Sequence, residues 1–262
     1  VYVTPILVFV SIYLGGIYSY IAIIYVFGLI PFLELFFSGT TQNMNEIEES
    51  LAIHDRWYDL LLYSLVPVQV ALLIYFLYSV DDDSLLLWEK IGLMTAYGMS
   101  CGALGINAAH ELGHRSSWYE QMMSKILLAT TQYMHFFIEH NKGHHKHVAT
   151  LNDPSSARKG EMVYLFYFRT IVFTYVNAWK IANAETKKKG KPVFSLYNEM
   201  LQLQLLQICF LGLIFLLFGL QGTMYFLLAA VNGILLLETV NYIEHYGLKR
   251  KQLEGDKYER AM

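Results

Sequence analysis

The chain has 262 residues, 55% of them hydrophobic and 16% charged, with a formal net charge of −3. A charged share well below the roughly 25% of soluble domains excludes an ordinary water-soluble globule and makes lipid the first solvent to consider. Residues 1–33, 60–80, 91–109 and 200–237 contain no Asp, Glu, Lys, Arg or His.

A crossing needs about 20 apolar residues, so the two longest runs each accommodate a helical hairpin. In chain order the first pair is 1–14 and 17–37, turning at Gly15-Gly16. The chain opens on Val1 inside a span, which reads as a fragment. A polar loop carrying His54, an ordinary surface residue, leads to a third span at 59–80. Asp81-Asp82-Asp83 forms the turn to a fourth span at 88–110. The connection 115–199 contains two semi-apolar aromatic segments, 119–138 and 161–182, interrupted by Lys125 and Arg169. These read as interfacial or re-entrant helices against the bundle; two further spans, which would preserve parity, are the alternative. The last pair is 200–218 and 223–245, turning at Gly219-Leu-Gln-Gly222. The expectation is an all-α integral membrane bundle of about six transmembrane helices forming one domain over 1–262, incomplete at both ends. Cys101 and Cys209 fall inside predicted spans and read as reduced, buried small hydrophobes.

Charge sets the orientation. Between Lys142 and Lys191 there are ten Lys or Arg against three Asp or Glu, and Lys249-Arg250-Lys251 is a second basic patch. With both patches in the cytoplasm, the three aspartates face outward. His110, His114, the second histidine cluster and His245 then all lie on the cytoplasmic side.

Seven of the nine histidines lie between His110 and His147. His110 and His114 share a helix face with Asn107, and Glu238, Asn241 and His245 repeat that spacing. His140, His144 and His145 follow an i, i+4, i+5 pattern with Gly143 before the doublet. Neutral imidazoles so placed can converge on one or two ions. His147 reads as solvent-facing or supporting, and His135 as a residue that packs or hydrogen-bonds.

His110-Glu111-Leu-Gly-His114 also fits the H-E-x-x-H pattern of zinc peptidases, with Glu111 as general base. One zinc takes three protein ligands and water, which leaves His140, His144, His145 and His245 idle. A ferritin-like site needs a second Glu-x-x-His and further carboxylates, and no second copy occurs near the clusters. A nitrogen-rich site with surplus ligands points to two metals, and its place at a bundle edge to a lipophilic substrate. A divalent-metal transporter is the non-enzyme reading, but its ligands belong near the midplane.

Three stretches carry a resemblance: Asn107-Ala-Ala-His-Glu-Leu-Gly-His114; Glu139-His-Asn-Lys-Gly-His-His145, running on through Val148-Ala-Thr-Leu-Asn-Asp-Pro-Ser-Ser156 and Gly160-Glu161; and Asn241-Tyr-Ile-Glu-His-Tyr-Gly-Leu248. Together with Leu33-Glu34, they resemble the bacterial membrane alkane 1-monooxygenases of the fatty-acid desaturase and hydroxylase superfamily. The resemblance implies a monooxygenase with two non-haem Fe ions on histidines that activates O2 and converts the terminal C–H of a linear alkane to a 1-alcohol. It implies electrons from rubredoxin, itself served by rubredoxin reductase, and a multi-pass protein of the bacterial inner membrane among membrane lipid, with no nucleic acid. The implied ligands are His110, His114, His140, His144, His145 and His245, oriented by Glu111, Glu139, Glu238 and Asn241. A related xylene or fatty-acid hydroxylase or desaturase is the close alternative. The family's third histidine box is absent. Lys257-Tyr-Glu-Arg260 resembles the approach to it, so the sequence reads as truncated at both ends; a chain complete as given would have a crippled or single-iron site.

Overall fold

The computed structural model describes residues 2–37, 56–251, 253 and 258–259, so His54 lies outside the described residues. Among them the secondary structure is helical, in the order the hydropathy pattern predicts. α1, Val3–Leu14, stops at Gly15, and both Gly15 and Gly16 hold positive φ of 60° and 51°. Only glycine takes that conformation without strain, so the hairpin turns where the sequence predicts. α2, Gly16–Glu34, widens into a π-helical turn at Tyr25–Leu29, just before Pro31 removes a backbone donor. α3 spans Arg56–Val80 with Pro67 inside it.

α4 covers 87–113 as Leu87–Ser100, a π-helical turn Cys101–Ile106, and Asn107–Gly113. The Glu89 carboxylate accepts the Leu86 N–H at 2.8 Å and caps its start. The segment expected at 119–138 is two helices: α5, Trp118–Thr130, and α6, covering 136–147. Gln132, at φ 54°, lies in the break between them. α7, Val163–Lys188, runs six residues past its predicted end, and its buried residues Phe166, Thr170, Thr174, Ala178, Ala182 and Thr186 form one stripe at i, i+4. The helical run Glu199–His245 breaks at Gly219 (φ 64°) into α8, 199–218, and α9, 220–245. Asn198 caps α8 by accepting the Met200 N–H at 3.1 Å.

Among the described residues, the helices long and apolar enough to cross a membrane are Gly16–Glu34, Arg56–Val80 and Glu199–His245. Cys101 is buried as expected; Cys209 instead sits exposed on α8, in a run whose outer face is Leu205, Leu206, Ile208 and Leu213.

Helices α4 and α9 touch through glycines. A Cβ at Gly233 would stand 2.4 Å from the Cβ of Cys101 and 2.9 Å from the Gly98 carbonyl oxygen. A Cβ on Gly102 would stand 3.0 Å from the Gly233 carbonyl oxygen. Gly98-x-x-x-Gly102 is thus a small-residue seam that lets two backbones meet. The contact joins the helix that carries His110 to the helix that carries His245.

Candidate metal centre

His110 and His114 stand one helical turn apart at the end of α4, and their Nε2 atoms are 3.0 Å apart. His140 and His145 need a different device. Five residues along an α-helix is about 140° past one turn, which would splay the two rings. The turn His140–His144 is π-helical, and the extra residue per turn brings His145 back over His140. Their Nε2 atoms come to 2.9 Å, and His145 reaches His114 at 3.1 Å. One nitrogen from each of the four rings lies within 4.8 Å of the other three. Gly143 permits the wide turn to pack, since a Cβ there would meet the Glu139 carboxylate at 2.6 Å and the Asn177 amide nitrogen at 2.8 Å. Asn141 ties the two helices by donating to the Phe137 carbonyl at 2.8 Å and the Gly113 carbonyl at 3.4 Å.

His144 faces the other way. Its Nδ1 donates to Asp153 at 2.9 Å, which leaves Nε2 with its lone pair free, the tautomer a metal-binding imidazole requires. The ring lies 5.2 Å from His140 and 5.0 Å from His245. Asp153 is buried and also accepts the Ser156 hydroxyl at 2.6 Å and the Ser155 N–H at 3.0 Å. Arg169 clamps this loop, donating to the Pro154 and Ser156 carbonyls while pairing twice with Glu161 at 2.7 Å. The end of α9 is pinned to the same loop: Tyr242 donates to the Glu161 carbonyl at 2.6 Å and the Gly247 N–H to that of Ala157 at 3.0 Å. The third stretch is thereby held beside the second.

All six expected histidines therefore meet in one patch, four around a single point and His144 with His245 beside it. Burial opposes charge on His144, but the Asp153 hydrogen bond and charge prevail and raise its pKa. Burial likewise works against Asp153, and the His144 contact lowers it. His140 is pushed far down by burial first and neighbouring histidines second, so it is neutral and ready to coordinate.

The four residues expected to orient ligands make the following contacts. Glu139, buried and pushed up to about 7 by burial, accepts from Asn177 at 3.0 Å. Glu238 accepts from Tyr133 at 2.9 Å, Thr170 at 2.9 Å and Asn241 at 3.1 Å. Glu111 is exposed and pairs with Arg115 at 3.3 Å. Asp153, which hydrogen-bonds His144, is not among the residues the sequence singles out; its only signal there is the Asp-Pro-Ser-Ser turn after the doublet. His135 is buried between Tyr133 and Tyr175, at ring distances of 4.4 and 5.3 Å. His147 is half-buried, and its Nδ1 has no hydrogen-bond partner among the described residues.

The donor set fits a borderline transition metal. Two nitrogens each about 2.1 Å from a common ion and at right angles stand about 3.0 Å apart, the spacing of the three short pairs here. Neutral imidazoles cannot satisfy those pairs among themselves, because His114 and His145 each meet two neighbours through one nitrogen. A cation in their midst accepts all four lone pairs.

Residues 86–262 match the fatty acid desaturase family, which covers both histidine clusters and His245. The chain belongs to the fatty acid desaturase family. Within it, the chain is 34% identical to the alkane 1-monooxygenase of Ectopseudomonas oleovorans over 93% of its own length and 61% of the relative's. It is 36% identical to alkane 1-monooxygenase 1 of Alcanivorax borkumensis over 89% of this chain and 57% of that protein. A more distant match, at 25%, is the xylene/toluene monooxygenase hydroxylase component XylM of Pseudomonas putida, over 73% of this chain and 53% of that protein. This desaturase-family chain thus spans about three fifths of the length of the curated alkane monooxygenases it resembles.

Proposed function

We propose that the chain is the histidine-bearing part of a non-haem di-iron alkane 1-monooxygenase, taking a linear alkane and O2 to the 1-alcohol with electrons from rubredoxin. The observation that carries this reading is the meeting of six histidines from three distant stretches in a chain about 35% identical to such enzymes. His110, His114, His140 and His145 are the ligands of one ion, and His144 and His245 belong to the second. When bound, the iron pair supplies oxygen activation and removal of a hydrogen atom from the methyl end.

The protein's own part is positioning. A cavity of about 440 Å³ lies among α1, α3 and α4, lined by Leu62, Leu65, Ala103 and Leu104 with Asn107 and Glu111 at its polar end. It is lined in part by α4, the helix that carries His110, and its apolar residues suit a hydrocarbon. Terminal C–H bonds are the strongest in an alkane, so attack there follows from which carbon is presented. Asp153 and the Arg169–Glu161 clamp hold His144 in its orientation. Of the basic residues open to an acidic electron donor, Lys142 is engaged by Glu185 at 2.8 Å and Glu199 at 3.3 Å. Lys146, the run Lys187–Lys191 and the cavity rim of Arg158, Lys159 and Lys249 are our candidates for the docking face. With six spans and the basic patches inside, this face would lie in the cytoplasm of a bacterial cell.

The test supplies reduced rubredoxin and O2 to the iron-loaded protein with octane and with xylene, and measures products and iron per chain. 1-Octanol is the expected product. Methylbenzyl alcohol alone would assign the aromatic-methyl reaction instead, and zinc with peptide cleavage would overturn the oxygenase reading.

A further inference from the structure

One buried polar group beside the candidate centre has no part in holding metal or substrate. Tyr133 is 2% exposed and donates its hydroxyl to Glu238, 1% exposed, at 2.9 Å across 105 residues of chain. The same carboxylate takes Thr170 and Asn241 as further donors, and among the described residues no Lys or Arg pairs with it. Burying a carboxylate at a helix–helix contact is expensive where apolar side chains would pack, so a purely structural purpose is poorly served. On its other side Tyr133 leads to the histidines. Its ring is 5.9 Å from Phe136, which stacks on His140 at 4.6 Å with 20° between planes. A phenol with a ready proton acceptor, two ring contacts from a metal ligand, is placed to be oxidised.

We propose that Tyr133 is a redox-active tyrosine that discharges the oxidised metal centre when no hydrocarbon is in place. This rests on the oxygenase reading above, which supplies both the oxidant and the electron donor. Tyr133 gives one electron to the metal centre, which is reduced by one. The phenolic O–H bond breaks and its proton passes along the hydrogen bond to the Glu238 carboxylate, leaving a neutral tyrosyl radical and a neutral carboxylic acid. One electron from the donor, with return of the proton from Glu238, restores both side chains. Phe136 bridges the gap and is not itself oxidised.

The experiment freezes the iron-loaded enzyme after reduction and exposure to O2 without alkane, and records electron paramagnetic resonance. The wild type gives a radical signal whose splitting collapses with ring-deuterated tyrosine. Tyr133→Phe loses that signal, still yields alcohol when alkane is supplied, and inactivates after fewer turnovers. Glu238→Gln, which keeps the phenol but removes the proton acceptor, also loses it. An unchanged signal in Tyr133→Phe, or a wild type that makes alcohol with no radical at all, overturns the proposal. Absence of both alcohol and radical defeats the oxygenase reading and this inference with it, whereas a radical without alcohol defeats only the identity of the substrate.

Discussion

Asp153 is the residue on which the His144 position turns. Its carboxylate fixes the His144 tautomer and accepts two more hydrogen bonds from the same short loop. Asp153→Asn keeps the size but lets the amide present its NH2 to Nδ1, which reverses the tautomer. Metal affinity at the His144–His245 position is expected to fall about 10–100-fold, read by titrating iron into the metal-free protein, with the four-histidine position less affected. A uniform loss at both positions would mean a folding defect instead. Sequence spacing exposes the six histidines because imidazoles at helical intervals are rare without a purpose. It does not expose Asp153, because that contact is made by a loop nine residues on, whose path depends on Arg169. His135 offers a second test. Burial pushes it down to about 3, so the folded protein declines a proton that the unfolded chain accepts near pH 6.5. The unfolded state then binds more protons, and stability falls as pH drops from about 6.5 towards 3, by up to about 1.4 kcal/mol per pH unit for this group. His135→Asn is expected to flatten that acid limb in thermal unfolding of the metal-free protein. An unaltered limb would show that other groups carry it.

The helices themselves are legible in the sequence, since charge-free runs and the glycine pairs at Gly15-Gly16 and Gly219 mark where apolar chain must turn. The π-helical turns are not. Widening at Cys101–Ile106 and His140–His144 is set by what packs around them: a Cβ at Gly105 would meet Thr131 at 2.4 Å, and one at Gly143 would meet Glu139 and Asn177. The i, i+5 pair His140 and His145 is the visible trace of the second one, because only a widened turn makes that spacing converge. The seam of Gly98 and Gly102 against Gly233 is readable as a small-residue motif, although its partner helix is not. Gly233→Leu is expected to force α4 and α9 apart, since a single Cβ already meets atoms at 2.4 and 2.9 Å. His245 would then leave His144 while His110, His114, His140 and His145 stay together. The measurable outcome is loss of metal at the His144–His245 position, with a lowered unfolding temperature from about 1–3 kcal/mol of overpacking. Full metal occupancy in Gly233→Leu would show that the seam does not set the register of the site.

At the scale of the whole molecule, the histidine patch and the acidic turn after α3 belong on opposite sides of the bilayer in the six-crossing arrangement. Between the exposed Ser84 and the exposed Lys189 lie α4, α5, α6 and α7, and opposite faces require an odd number of crossings among them. In that proposed arrangement α4 is the single crossing: residues 91–109 carry no charge, whereas Lys125 and Arg169 interrupt α5 and α7. Amphipathic α7 keeps Tyr164, Phe168, Val172 and Tyr175 exposed on one side and ends in Lys187 and Lys188, as a helix lying along a membrane interface would. The check uses Ser84→Cys and Lys189→Cys, each in a Cys209→Ser background because Cys209 is exposed while Cys101 is buried. A membrane-impermeant maleimide is expected to label Ser84→Cys in cells with only the outer membrane opened, and Lys189→Cys only after lysis. The reverse pattern would turn the metal centre outward, away from any cytoplasmic electron donor. Labelling of both from one side would mean an even number of crossings between them, and α7 or the α5–α6 pair would have to be redrawn as membrane-spanning.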